Sequence, residues 1–142
     1  MFTVLFITNL VLSLMLTGLI WVIQLVHYPL FFAVGKSAFK AYEQKHQQKI
    51  TPLVAPLMLA ELGCSFVWLL FFYKDALAIT MLQFIMVLGI WLSTFFIQIP
   101  LHNKLKDGYN SFIIKKLVNT NWIRTALWTA RSVLLISNFA YN

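Results

Sequence analysis

The chain predicts an all-α fold, a four-transmembrane-helix bundle with an interfacial amphipathic helix between spans one and two. Hydrophobic residues make up 61% of the 142 and charged residues only 11%, against about 25% charged in soluble domains. Four stretches, residues 3–26, 52–73, 76–101 and 120–141, each supply the ~20 apolar positions that a bilayer crossing requires. Each also carries a line of polar side chains at helical spacing. The first line is Asn9, Ser13, Thr17, Gln24 and His27; the second is Glu61, Ser65 and Trp68. The third is Thr80, Gln83, Thr94, Gln98 and His102, and the fourth is Asn121, Arg124, Trp128, Arg131 and Asn138. At ~100° per residue each line occupies one face of its helix. Ionisable groups in a bilayer face the bundle interior and mark functional sites, so the bundle is expected to be polar inside.

Taken in order, the first span is expected to be retained rather than cleaved. No Lys or Arg precedes it, its apolar run is too long for a signal h-region, and no small-x-small site follows. Pro29, after His27 and Tyr28, ends or kinks it. Residues 30–50 then read as an interfacial amphipathic helix. Phe39, Glu43, His46 and Ile50 share its apolar face, so Glu43 and His46 point into the bundle, while Lys40, Lys45 and Lys49 occupy the remainder. Thr51-Pro52 is a start signal for the second span. Lys74-Asp75 predicts a tight turn, Asp107-Gly108 another, and Asn119 or Thr120 can cap the fourth span. Trp122 falls near the headgroup boundary. No internal repeat or linker is visible, so residues 1–142 read as a single integral-membrane domain.

The net charge of +7 does not point to nucleic acid, because of where the lysines lie. Lys36, Lys40, Lys45 and Lys49 fall in the first connection and Lys104, Lys106, Lys115 and Lys116 in the third, while the second holds only Lys74 beside Asp75. That alternation is the positive-inside pattern. It places connections one and three in the cytoplasm and both termini outside, in a multi-pass membrane protein. Lysines there also attract lipid headgroups. The single Cys64 permits no internal disulfide.

Depth decides which polar groups can meet. His27 and His102 end spans one and three on the lysine-rich side, Glu43 and His46 lie at that level, and Arg124 is a few residues into span four. Glu43-x-x-His46 resembles the Glu-x-x-His device of di-iron carboxylate bundles. His27, Glu43, His46 and His102 therefore form a candidate ligand set for iron, zinc, copper or manganese. Gln24, Gln98 and Asn121 sit on the same faces as candidate cofactor-binding partners. Haem held between His27 and His102 is a further reading, opposed by the bulk of Leu25, Phe31, Ile99 and Leu101. Glu61, ~13–17 Å deep like Arg131 at 1.5 Å per residue, is a fifth candidate ligand or a proton-transfer carboxylate tuned by Arg131, unless the two form a structural ion pair. Arg124 holds either a lipid phosphate or an anionic or carbonyl oxygen of a substrate.

The segments Val26-His27-Tyr28-Pro29-Leu30-Phe31, Ile97-Gln98-Ile99-Pro100-Leu101-His102 and Thr120-Asn121-Trp122-Ile123-Arg124-Thr125 carry a resemblance. With Trp128 and Arg131 they resemble a group of small bacterial four-helix membrane proteins, distantly similar to the anthrone oxygenase-like family. The resemblance implies oxygenation of an aromatic polyketide or quinone-like substrate. The functional expectation is a metal-dependent oxidoreductase acting on a lipophilic small molecule, with Glu61, Arg124 and Arg131 as catalytic candidates. The alternative is a non-catalytic membrane protein: a small carrier working as a homo-oligomer, a haem-binding protein or an assembly partner.

Overall fold

The computed structural model describes residues 2–72 and 77–140, and among these every regular element is helical. The helices are α1 (Phe2–Val22), α2 (Tyr28–Leu30), α3 (Phe39–Phe72), α4 (Leu77–Ser93), α5 (Ile99–Leu105) and α6 (Ser111–Ala140). A π-helical segment, Ile23–His27, joins α1 to α2, and another, Thr94–Gln98, joins α4 to α5. The result is four rods in an up-down-up-down bundle. The α1 rod packs on α3 and α6, and the α4 rod packs on the same two helices.

Three rods, Thr3–Ala33, Phe39–Phe71 and Leu77–Leu105, are long and apolar enough to cross a membrane. The α6 rod is long enough but carries Lys115, Lys116, Arg124 and Arg131. The polar lines face inward: Asn9, Ser13, Gln24, Glu61, Ser65, Thr80, Gln83, Gln98, Asn121, Arg124 and Arg131 are all buried. The outer surface is apolar, with Val11, Met15, Leu59, Phe71, Ile85 and Phe96 exposed.

The rods extend further than the sequence signals place them. Pro29 does not end the first rod, which continues as a 3-10 turn, Phe31–Ala33, before Val34 takes an extended conformation. The start expected at Thr51-Pro52 is absent, since α3 runs unbroken from Phe39 to Phe72 with Pro52 and Pro56 inside it. The amphipathic stretch is thus the first part of α3, with Phe39 and Glu43 fully buried. The fourth rod begins at Ser111, where the Asn110 side chain accepts the Ile113 N–H at 3.1 Å. That cap lies well before the expected one at Asn119 or Thr120. Lys115 and Lys116 are exposed while Ile114 and Leu117 are buried, so the lysines ride the outside of a helix. The turn at Asp107-Gly108 is present, and Gly108 has φ 143, a backbone conformation only glycine adopts without strain. The expected Lys74-Asp75 turn lies outside the described residues.

Each π segment has a visible cause. Pro29 and Pro100 each stand two residues past a π segment, Ile23–His27 and Thr94–Gln98. A proline in an α-helix clashes with the carbonyl four residues back, here that of Leu25 or Phe96. Widening the helix relieves the clash: the N–H of Tyr28 bonds to the Ile23 carbonyl and that of Ile99 to the Thr94 carbonyl. The two rods thus share one device at one register, a similarity that hydropathy patterning does not reveal. Such π bulges recur at functional sites.

Candidate functional site

Both π segments deliver side chains to the same interior level. His27 ends the first and Tyr28 follows it; Gln98 ends the second, with His102 one turn on. Glu43, His46 and Gln47 come from the first turns of α3, and Arg124 from α6. The four residues expected to converge as ligands do converge, but in two pairs. His27 Nε2 lies 2.8 Å from His46 Nδ1, and His102 Nδ1 lies 2.7 Å from Glu43 Oε1.

The second pair continues into a chain. A carboxylate accepts hydrogen bonds, so His102 carries its proton on Nδ1 and donates it to Glu43. Nε2 is then left to accept from the Tyr28 hydroxyl at 2.9 Å. Gln47 Nε2 donates to the same Glu43 Oε1 at 2.8 Å, so one carboxylate oxygen takes both hydrogen bonds. The Arg124 guanidinium lies beside the Tyr28 hydroxyl. The order along the chain is guanidinium, phenol, imidazole, carboxylate. It has the logic of a hydrolase triad, in which a buried carboxylate orients an imidazole that takes a hydroxyl proton. Here the hydroxyl is phenolic. Tyr28 stands one turn past Gln24, on the polar side of its span, so helical spacing could have found it, although its aromatic ring reads as apolar beside the polar line.

With both nitrogens of His102 engaged, the cluster is not arranged as a metal-ligand set. Among the described residues no three His, Cys, Asp or Glu side chains are placed to hold a metal ion. Phe31 packs edge-on against His27, His46 and His102 at centroid distances of 5.3, 5.4 and 6.4 Å. Glu43 Oε2 is buried without a hydrogen-bond partner.

A cavity of about 340 Å³ opens onto this cluster. Tyr28, His46, Gln47, Gln98, His102 and Arg124 form its polar wall; Leu16, Ile20, Met58, Trp91 and Trp128 form its apolar wall. Thr51 on α3 and Phe95, Ile99 and Asn103 on the α4–α5 rod line it and are themselves exposed. The cavity therefore reaches the surface sideways, between those two rods.

Gln24, Gln98 and Asn121 do not contact the histidines through the hydrogen bonds they make. Asn121 Nδ2 donates to Gln24 Oε1 at 2.9 Å, and Gln24 Nε2 to the Val118 carbonyl at 3.1 Å. Thr120 Oγ1 donates to Gln98 Oε1 at 3.4 Å. Asn121 instead serves Arg124: its Oδ1 accepts from Nε at 3.0 Å and Nη2 at 2.7 Å. Thr94 Oγ1 accepts from Nη1 at 3.3 Å. Arg124 is thus an interior residue.

Glu61, a candidate fifth ligand by sequence, does not pair with the histidines; its depth keeps it with Arg131 and Trp128 instead. Arg131 Nε lies 3.6 Å from Glu61 Oε1. Trp128 Nε1 donates to Glu61 Oε2 at 3.0 Å. Arg131 Nη2 donates to Asn9 Oδ1 at 2.7 Å and to Ser65 Oγ at 2.6 Å. This network ties α1, α3 and α6 together. Trp128 is the wall between the two regions, bonded to Glu61 and with its ring 5.9 Å from Arg124.

No protein-family model, curated protein or solved structure matches this chain. The kinship that three sequence segments imply therefore stays an expectation, and the chemistry rests on the geometry.

Proposed function

We propose that the protein is an integral-membrane enzyme that performs proton transfer on a lipophilic small molecule held in the bundle. The observation that carries this is the Tyr28–His102–Glu43 chain, whose Tyr28 and His102 line a cavity while Glu43 is buried behind them. In this reading the imidazole takes a proton from Tyr28 or from substrate, Glu43 stabilises the imidazolium, and the sideways opening admits substrate from the acyl region. The reaction class is proton abstraction from a hydroxyl or from carbon beside a carbonyl. Either is the acid–base half of a lipophile oxidation or isomerisation.

A bilayer location is supported by three membrane-length apolar rods. The α6 rod is read as the fourth span because both its arginines face inward while Trp122, Ile123, Val133 and Ile136 form an apolar outer face. The lysine-bearing ends of the rods are read as cytoplasmic. On a Cys64→Ala background, a cysteine at Ser37 should resist an impermeant thiol reagent in intact cells, whereas one at Leu77 should react. The reverse pattern inverts the topology.

The catalytic reading is tested with proteoliposomes in D2O supplied with an organic extract of host membranes. Mass spectrometry should find a deuterated or newly formed lipophile with wild-type protein and none with Tyr28→Phe or His102→Gln. Equal conversion by both variants sinks the relay. Uptake of a lipophile without conversion by any form favours the carrier alternative.

A second reading places a transition metal in the same cluster, and the orphaned Glu43 Oε2 favours it. His102 would then have to release Tyr28 or Glu43. Reconstitution with iron, zinc, copper and manganese in turn, followed by elemental analysis, decides between the two. Stoichiometric metal that is lost in both His46→Ala and His102→Ala would replace the relay with a metal site.

A further inference from the structure

Arg124 is a buried cation with no anion. It is 6% exposed. Among the described residues the ion pairs are His102–Glu43 and Arg131–Glu61, and Arg124 belongs to neither. Its hydrogen bonds go to Asn121 and Thr94, which are neutral, and Trp128 offers a ring face at 5.9 Å. A guanidinium does not deprotonate in proteins, so the charge cannot be escaped by losing a proton. Burying an ion without a partner is costly in any apolar interior and more so in a bilayer. The fold spends two side chains orienting this cation toward a cavity and supplies no counter-charge.

We propose that the counter-charge is the ligand's: the cavity binds a small lipophilic acid, with its ionised oxygen on Arg124 and its apolar body against Leu16, Ile20, Met58 and Trp128. This rests on reading the cavity as the substrate site and names the class of substrate. The volume, about 340 Å³, lies at the low end of the ~300–1,000 Å³ typical of small-molecule sites. It suits one short chain or one or two rings and excludes the paired chains of a phospholipid. The fork geometry of the guanidinium suits a carboxylate in particular. Bound there, the acidic oxygen also sits next to the Tyr28 hydroxyl, so binding and proton transfer share one end of the ligand.

The test uses 10-bromodecanoate, its methyl ester and 10-bromodecylamine, read by bromine quenching of tryptophan fluorescence in phosphatidylcholine nanodiscs, where Trp91 and Trp128 line the cavity. The acid should bind roughly tenfold to a hundredfold more tightly than the ester, the range of a hydrogen bond to a buried charge, and the amine should bind worst. Arg124→Gln should bring acid and ester together without weakening the ester. Arg124→Lys, which keeps the charge but loses the fork, should retain a reduced preference. Ala55→Phe, at the cavity wall, should weaken both ligands. Equal binding of acid and ester by wild type overturns the proposal, as does a preference undiminished in both Arg124 variants. Loss of acid binding when phosphatidylglycerol is added assigns the anion to a lipid headgroup and also overturns it. Tyr28→Phe should keep the acid preference, so failure of the relay and failure of this assignment give different results.

Discussion

Arg131 meets a carboxylate, and Arg124, two turns nearer the lysine-bearing end of the same helix face, meets only neutral groups. Both are buried, and both are contacted by side chains from other rods. Around Arg131 the contacts converge from α1 and α3 onto one cluster with its own counter-charge. Around Arg124 they hold a cation at the edge of a cavity. The first arrangement does what a packed core does, fixing three helices in register through groups that must find each other. The second leaves an interaction for something else to complete. Location within one fold therefore separates a polar cluster that holds the bundle together from one that is available for chemistry.

The largest stability effect should come from breaking the Glu61–Arg131 cluster, which is ion-paired although Glu61 Oε1 and Arg131 Nε and Nη1 make no hydrogen bond. Removing one partner of a buried ion pair costs about 3–5 kcal/mol. Glu61→Gln and Arg131→Gln should each lower the unfolding temperature in detergent sharply, and the double variant should recover part of the loss. Additive losses would show that the two charges, 3.6 Å apart, do not act as a pair. If the double variant regains stability but no turnover, the deep cluster serves the reaction as well as the fold.

The relay should behave in the opposite way. Tyr28→Phe removes one neutral hydrogen bond, worth about 0.5–1.5 kcal/mol, yet should reduce turnover by ~10²–10⁴-fold if the phenol is in the proton path. His102→Gln keeps a hydrogen-bonding side chain between Tyr28 and Glu43 but cannot carry a proton, and should be as inactive. If Tyr28→Phe is fully active while Glu43→Gln is not, the proton passes from substrate straight to His102 and Tyr28 only positions.

The polar interior was legible from sequence because helical period alone sorts side chains onto faces, and polar residues among apolar ones are conspicuous. Glu43 and His46 facing inward followed from the same rule, whereas whether Glu61 joins the histidines did not. Helix ends were not legible. Lys115 and Lys116 look like a connection to a hydropathy count, but a helix continues through them because Ile114 and Leu117 alternate inward. Pro52 looks like a start because Thr51 can cap and proline suits a first helical turn; packing of Phe39, Glu43 and His46 carries the helix across instead. Pairing inside the histidine cluster was illegible for a different reason. Spacing places four ligand-type residues at one depth, but which nitrogen meets which oxygen depends on how the extra residue in each π segment turns the helix beyond it.

The smallest stability effect, and the sharpest test of how the two regions differ, should come from Pro100. Without its ring, nothing clashes with the Phe96 carbonyl, and Thr94–Gln98 can tighten toward an α-helix. An interior proline costs about 3 kcal/mol in a regular α-helix, but here the π segment has already relieved the clash, so Pro100→Ala should change stability by less than about 1 kcal/mol. Losing the extra residue of the bulge turns the helix beyond it relative to the helix before it by up to ~100°. His102 lies after the bulge, whereas Thr80 and Gln83 lie well before it. The variant should therefore keep the Glu61–Arg131 cluster and its melting temperature while losing turnover, because His102 no longer faces Tyr28 and Glu43. Pro29→Ala makes the same test on the first rod, where Tyr28 would turn. Variants that keep full activity would mean that packing, not proline, holds the π segments. Variants that melt early would mean that the bulges support the bundle as well as the site.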